Sequence, residues 1–312
     1  MISKTELVKG LRDLGIKSGD VLFLRISYKS IGKTENGPKD IIDSILEVIG
    51  NEGTIVAATY PKLKPTRLKW LYKNPTYDRN DHTISVYTGA ISSTILKYPT
   101  VMSSENPTVM FSAIGKHAKI LTDNYTIDKK PYHILREMVE KYDAKCLRIG
   151  GQTLTGTTHL ALSDAFLHHN AYQRKVHSGI YVLDKNNVKT WIDTRQNTTF
   201  CYTMFNEFYN NSLRQKGSVV AEGKIGLGDA VITSMRKTYE KEKDYFLEDI
   251  NNLTCSNEEC LTCNLTYSFS KSNKLKFLFN QFCCLFSNKN RGIATTNIKR
   301  YALILLLGTR CK

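Results

Sequence analysis

The chain has 312 residues, 41% apolar and 10% aromatic, which is ordinary for a folded globular protein and excludes a fibrous or low-complexity chain. Lys and Arg outnumber Asp and Glu by 44 to 29, so the net charge of +15 favours anionic partners over a polycationic ligand. The sequence shows no secretory signal and no apolar run of the ~20 residues that span a bilayer, so we expect a cytoplasmic protein without a membrane span.

Short apolar strands alternate with amphipathic helices through the first half of the chain. The predicted strands are apolar or β-branched runs, at residues 21–24, 54–59, 109–114 and 145–149. The predicted helices carry apolar residues at helical spacing, over residues 1–14, 38–49, 88–97, 117–121 and 134–141. This alternation predicts a sheet that is covered by helices. Residues 61–82 are a basic excursion with aromatic side chains, which we interpret as an active-site loop rather than a nucleic-acid contact.

The second half of the chain begins with a helix that Thr157 or Thr158 can cap. Further elements follow in this order: a hairpin of residues 179–183 and 188–192, a helix over 200–213, a strand and turn over 219–226, and a long helix over 229–249. From residue 251 onward Asn, Ser, Cys and Lys dominate and helical periodicity is weak. We therefore predict a main domain of residues 1–250 and a basic, cysteine-containing appendage of residues 251–312, part of which is disordered.

Six of the eight cysteines crowd into the carboxyl-terminal segment. Cys260-Leu-Thr-Cys263 has the spacing of a zinc-ligand pair. A second such pair is missing and no histidine follows, so we predict no metal site. Cys146 and Cys201 lie apart in the main body, where we expect buried thiols.

The strongest functional signal is the stretch Ala144–Asp164, AKCLRIGGQTLTGTTHLALSD. It places His159 in the first turn of a helix, just past the carboxyl end of a predicted strand, where open α/β sheets bind ligands. The helix dipole at that position disfavours a charged imidazole, so His159 would be able to accept a proton. The alternative interpretation is a histidine that only packs at the start of a helix.

Six separated phrases share their order and spacing with one protein family. They are LRDLGIKSGDVLFLRISYKSIG (11–32), GPKDIIDSILEVIGNEGTIVAATY (37–60), YDRNDHTISVYTGAIS (77–92), NPTVMFSAIGKHAKILT (106–122), DAKCLRIGGQTLTGTTHLALSD (143–164) and GKIGLGDAVI (223–232). Over roughly residues 5–245 the chain thereby resembles the aminoglycoside N(3)-acetyltransferases. The resemblance implies a three-layer α/β sandwich, with a central mixed sheet flanked by helices. It also implies that acetyl-CoA is the co-substrate and that the acetyl group passes directly to a sugar amine, without a metal.

The resemblance assigns His159 the role of general base. The family has a glutamate three residues later, where this chain has Leu162, so Asp164 is the nearest carboxylate to orient the imidazole; Asp193 and Asp78 are the other candidates. The residues that the resemblance places at acetyl-CoA are Ser27, Tyr28, Lys29, Ser30, Gly32, Asn106 and Thr108. Those that it places at the acceptor substrate are Tyr60, Asp78, Thr157 and Thr158.

The net charge of the main domain indicates the chemical class of the acceptor substrate. Residues 251–312 carry nine Lys or Arg and two Glu, so the first 250 residues carry +8 (+15 less +7). Aminoglycosides are polycations, so we expect a neutral or anionic amino sugar, for example one linked to a nucleotide or glycan, while Lys29 and Lys33 are candidates for the CoA phosphates.

The sequence also bears on two alternative functions. The departures from the family at Ile26, Ser103, Asn106 and Leu162 leave open a catalytically inactive member that binds CoA or a protein partner. No recognised nucleic-acid motif accompanies the positive charge, so nucleic acid is not an expected partner. A homodimer is left open.

Overall fold

The computed structural model describes residues 1–60, 76–77, 88–106, 109–126, 129–130, 132–151, 155–171, 179–183, 188–193, 201–209, 213, 217–257, 260, 263–264 and 267. The strands are β1 Val21–Ile26, β2 Thr54–Ala58, β3 Thr76–Tyr77, β4 Met102–Ser103, β5 Phe111–Gly115, β6 Lys145–Ile149, β7 Gly179–Leu183, β8 Lys189–Asp193, β9 Val219–Ile225 and β10 Gly228–Ser234. The helices are α1 Lys4–Asp13, α2 Tyr28–Ile31, α3 Pro38–Ile49, α4 Gly89–Ile95, α5 Ala118–Asp123, α6 His133–Lys141, α7 Thr158–His168, α8 Tyr202–Phe208 and α9 Met235–Glu248, followed by a 3-10 turn, Ile250–Leu253.

The chain divides into two compact units. The first comprises Met1–Lys62, His82–Ala161 and Phe208–Asp244, and the second comprises Leu63–Asp81, Leu162–Glu207 and Tyr245–Lys312. The predicted division of the chain between residues 250 and 251 stays a prediction.

The first unit contains a seven-stranded sheet in the order β4-β5-β2-β1-β6-β10-β9. The central strands β2, β1 and β6 are parallel, and the outer pairings are antiparallel. One face packs on α1 and α3 through a core that includes Leu11, Leu22, Ile45 and Leu147. On the other face Phe23 contacts Phe111, and Phe111 contacts Tyr125. The predicted central mixed sheet, flanked by helices, is therefore confirmed.

The second unit contains a three-stranded sheet in the order β3-β7-β8. Strands β7 and β8 pair antiparallel, as the predicted hairpin requires. The strand β3 lies within the predicted loop over residues 61–82, and the rest of that loop is outside the described residues. In the part of the chain that the structure describes, no helix combines the length and apolar composition needed to cross a membrane.

The predicted helix over residues 229–249 is wrong in its first part. Residues 228–234 form the strand β10, and α9 begins at Met235. Three consecutive residues, Val231, Ile232 and Thr233, are β-branched and favour a strand. Because β10 lies between β6 and β9, its backbone groups find hydrogen-bond partners on both sides, and this tertiary pairing favours the strand.

Candidate active site

The loops that follow β1 and β6 meet at the carboxyl edge of the sheet. The backbone N–H of Ser27 donates to the carbonyl of Ile149 at 2.9 Å, and the Ser30 hydroxyl donates to the Ser27 hydroxyl at 3.1 Å. Gly150 has a φ of 59°, and a Cβ atom there would lie 2.1 Å from the Ser30 hydroxyl oxygen. Only glycine therefore permits this close approach of the two loops.

The turn between β9 and β10 packs against the loop that follows β1. The N–H of Leu227 donates to the carbonyl of Ile31 at 2.9 Å. Gly226 has a φ of 58°, and a Cβ atom there would lie 2.5 Å from the Ile31 carbonyl oxygen. The glycines in the phrase at residues 223–232 thus hold the end of the loop over residues 27–32.

The residues predicted to bind acetyl-CoA in this loop have different surroundings. The Tyr28 hydroxyl accepts from the backbone N–H of Thr34 at 3.3 Å, which closes the loop on itself. Lys29 and Lys33 are exposed, so their ammonium groups are accessible to an anion. Gly32 has a φ of 100° and packs against Leu227. Their binding of acetyl-CoA stays a prediction.

A buried carboxylate, Glu242 on α9, anchors the loop that leads into α7. One of its oxygens accepts from the hydroxyls of Thr155 at 2.5 Å and Thr158 at 2.9 Å, and the other accepts from the Thr157 hydroxyl at 2.6 Å. Glu242 is fully buried. The predicted substrate residues Thr157 and Thr158 therefore turn their hydroxyls inward to this carboxylate, and they position the residue that follows them, His159.

Burial raises the pKa of Glu242 to about 7, and the hydrogen bonds from the three threonines oppose that rise. Sequence reasoning missed Glu242 because α9 carries many charges and has the composition of a solvated helix. The available signal of its burial was the helical spacing between Glu242 and the apolar residues of α9. Glu242 falls on the same stripe as the buried Met235, Tyr239 and Phe246.

The half-buried imidazole of His159 stacks on the ring of Tyr132, with centroids 5.1 Å apart and planes 11° from parallel. Tyr132 is buried and has a φ of 65°, and its N–H donates to the Tyr125 hydroxyl at 3.0 Å. Phe111 contacts both Tyr125 and the predicted substrate residue Tyr60, at 6.0 and 5.9 Å between centroids. An aromatic layer therefore connects Tyr60 with the support of His159.

The remaining predicted site residues are not joined to His159 by the contacts described above. Asn106 is buried, and its side-chain oxygen accepts from the N–H of Val109 at 3.2 Å, so it also stabilises its own turn. Asp164 lies on α7 and is half-buried, and its predicted orienting role stays a prediction. Thr108 and Asp78 lie outside the described residues, and of Asp193 only the backbone, at the end of β8, is described.

Two arginines lie side by side near the carboxyl ends of β1 and β6. Arg25 pairs with Arg148 in the parallel register, and both are half-buried. By strand alternation they share a sheet face with Cys146, over which Gly156 packs. Burial raises the pKa of the Cys146 thiol to about 11, and the charges of the two arginines oppose that rise. Among the residues that the structure describes, neither guanidinium has an ion-pair partner.

Comparison with known proteins agrees with this architecture. The sequence model of the aminoglycoside 3-N-acetyltransferase family matches residues 23–246. Aminoglycoside N(3)-acetyltransferase III of Pseudomonas aeruginosa is 26% identical over 131 residues, which cover 39% of this chain and 48% of the relative. The chain spans about half the length of the curated relatives that it matches first.

Solved structures show the same fold. Apo aminoglycoside acetyltransferase AAC(3)-IVa superposes with a TM-score of 0.66 and 21% identity, over 82% of this chain and 92% of the other. AAC-IIIb in a binary complex with CoASH superposes with a TM-score of 0.62 and 18% identity, over 82% and 99%. From the family match over residues 23–246 and the shared fold, we conclude that the chain belongs to the aminoglycoside 3-N-acetyltransferase family.

Proposed function

We propose that this protein is an acetyl-CoA-dependent N-acetyltransferase that acts on the amine of an amino sugar, with His159 as the general base. The main support is the surroundings of His159, which lies beside the carboxyl edge of the sheet. Its imidazole stacks on the ring of Tyr132, and it directly follows two threonines whose hydroxyls donate to Glu242. A histidine whose ring is stacked and whose preceding residues are anchored has fewer orientations to lose when it meets a substrate, which favours proton transfer in the transition state.

In the proposed reaction, His159 removes a proton from the acceptor ammonium group. The amine nitrogen then attacks the thioester carbonyl carbon, and the C–S bond breaks as the CoA sulfur leaves and takes the second proton that the nitrogen loses. The negative charge on the carbonyl oxygen needs N–H donors, which we assign to the backbone of the loop over residues 27–32. The N–H groups of Ser27 and Ser30 already donate to carbonyl oxygens, so other amides of that loop are the donors.

Arg25 and Arg148 support a neutral or anionic acceptor. They add two positive charges, neither of which has an ion-pair partner among the described residues, to the sheet face over which Gly156 packs. A polycationic aminoglycoside would be repelled at this face, whereas a phosphate or carboxylate would be attracted. We therefore expect slow acetylation of antibiotics and faster acetylation of nucleotide-linked amino sugars.

An assay of CoA release tests both parts of the proposal. Gentamicin and kanamycin are compared with nucleotide-linked amino sugars, and rapid turnover of the antibiotics would refute the acceptor class. The substitution His159→Ala should lower kcat about 10²–10⁴-fold if the histidine is a general base. The matched control is His117→Ala, because His117 bonds through its N–H to Thr54, at the start of β2 and therefore at the opposite edge of the sheet. Equal rates for both variants would refute the role of His159.

A catalytically inactive member that binds CoA is the second candidate. Leu162, in the position of the family glutamate, is fully buried and apolar, so it supplies no carboxylate to the imidazole. Calorimetric binding of CoA without turnover of any amine would favour this alternative.

A further inference from the structure

Four cysteines that are far apart in the sequence converge in the second unit. The Sγ atoms of Cys201, Cys255, Cys260 and Cys263 all lie within 4.8 Å of one another. The Sγ atoms of Cys201 and Cys260 are 3.5 Å apart, and those of Cys255 and Cys263 are 3.7 Å apart. All four are free thiols, so the cluster is not a pair of disulfides.

These distances fit the ligand shell of a single metal ion. Four sulfurs at the usual zinc–sulfur distance of about 2.3 Å, placed tetrahedrally, lie about 3.8 Å from one another. An iron–sulfur cluster distributes its cysteines over two or more iron atoms, and the sulfurs on different irons lie further apart. Four thiolates around one ion leave no position for water, which is the arrangement of structural zinc sites.

Backbone N–H groups around the cluster are directed at sulfur atoms, where they would stabilise thiolates. The N–H of Cys255 points at the sulfur of Cys263 at 3.3 Å, and the N–H of Met204, in the first turn of α8, points at the sulfur of Cys201 at 3.5 Å. Cys201 and Cys263 are buried, and the other two cysteines are half-buried. Buried thiolates without a cation would be costly, whereas a divalent ion compensates their charge.

A further contact fixes the segment that supplies three of the ligands. The hydroxyl of Ser256 donates to the carboxylate of Glu207 on α8 at 2.7 Å. Glu207 is thereby connected to Ser256, the neighbour of Cys255, while Cys201 approaches Cys260 from the residue before α8.

We propose that Cys201, Cys255, Cys260 and Cys263 bind one Zn²⁺ ion that ties the last three of these cysteines to the start of α8. The sequence interpretation of the Cys260–Cys263 pair required a second pair or a histidine. The fold supplies Cys201 and Cys255 instead. The role is structural, and it is independent of the proposed acetyl transfer.

The test is the zinc content of the full-length protein, purified without chelators and measured by inductively coupled plasma mass spectrometry. We expect about one zinc ion per chain, released when a mercurial reagent titrates the thiols. Replacement of either Cys201 or Cys260 by Ser should remove most of the zinc, whereas the control Cys146→Ala, a buried cysteine of the first unit, should retain it.

A measurement on the unmodified chain guards against variants that fail to fold. Exchange of the metal for Co²⁺ should produce the intense visible bands of a tetrahedral cobalt–thiolate site, and added Zn²⁺ should abolish them. Absence of stoichiometric zinc from the purified protein, iron in its place, or a protein mass that shows disulfides at these cysteines would each overturn the proposal.

Discussion

The substitution Glu242→Gln tests whether the carboxylate that accepts from Thr157 and Thr158 is as buried as the structure shows. The pKa of Glu242 is raised from its ordinary value of 4.5 to about 7, mainly by burial. The folded protein therefore keeps this proton at pH values where the unfolded chain has lost it. The contribution of Glu242 to stability is therefore fully present below pH 4.5 and is lost as the pH rises through about 7, with a total loss of about 3 kcal/mol for the shift of about 2.5 pH units.

Glutamine cannot ionise, so the variant should lack this pH dependence. Urea unfolding of the two proteins at pH 5 and pH 8 gives the free energy of unfolding of each. The wild type should lose about 2–3 kcal/mol more than Glu242→Gln between these pH values. The control is Glu240→Gln, which changes an exposed glutamate of the same helix and should follow the wild type. A difference between wild type and Glu242→Gln that does not change with pH would refute the reasoning.

Three further changes test other contacts. Tyr132→Leu removes the ring stacked on His159, so kcat should fall about 3- to 10-fold, the worth of an aromatic pair, while KM changes little. Lys145→Met leaves the carboxylate of Asp20 buried without its partner at 2.8 Å, which should lower the free energy of unfolding in urea by about 3–5 kcal/mol. Gly150→Ala places a Cβ atom 2.1 Å from a hydroxyl oxygen, so thermal unfolding should show a loss of about 1–3 kcal/mol, and calorimetry should show weaker CoA binding.

Each change has a control elsewhere in the first unit. Tyr142→Leu removes the ring beside His117, 4.7 Å between centroids, and should leave kcat unchanged. Lys224→Met breaks an ion pair whose partners are both largely exposed and should cost less than about 1 kcal/mol. Gly217→Ala adds a methyl group into open space at a φ of 75°, so it reports the backbone strain without the collision. Equal effects of a variant and its control would contradict the contact being tested.

Much of the fold could be predicted from local patterns. Apolar and β-branched runs located the central strands, and Pro38 marked the first turn of α3, because these signals depend on residues near one another in the sequence. The strand β10 escaped because the residues 228–234 form a strand only through pairing with β6 and β9, which local spacing does not encode.

The candidate site likewise combines features that local sequence patterns predict with contacts that depend on the tertiary structure. By itself the sequence determined that His159 follows a buried strand and lies in the first turn of a helix, because a short apolar run, two glycines and the threonines typical of a helix start are local signals. Only the tertiary structure decided that Glu242 holds Thr157 from 85 residues away, that Arg25 lies beside Arg148, and that Cys201 meets Cys260 across 59 residues. Such contacts arise from the packing of strands and helices against one another, and many chain paths are compatible with the same local pattern.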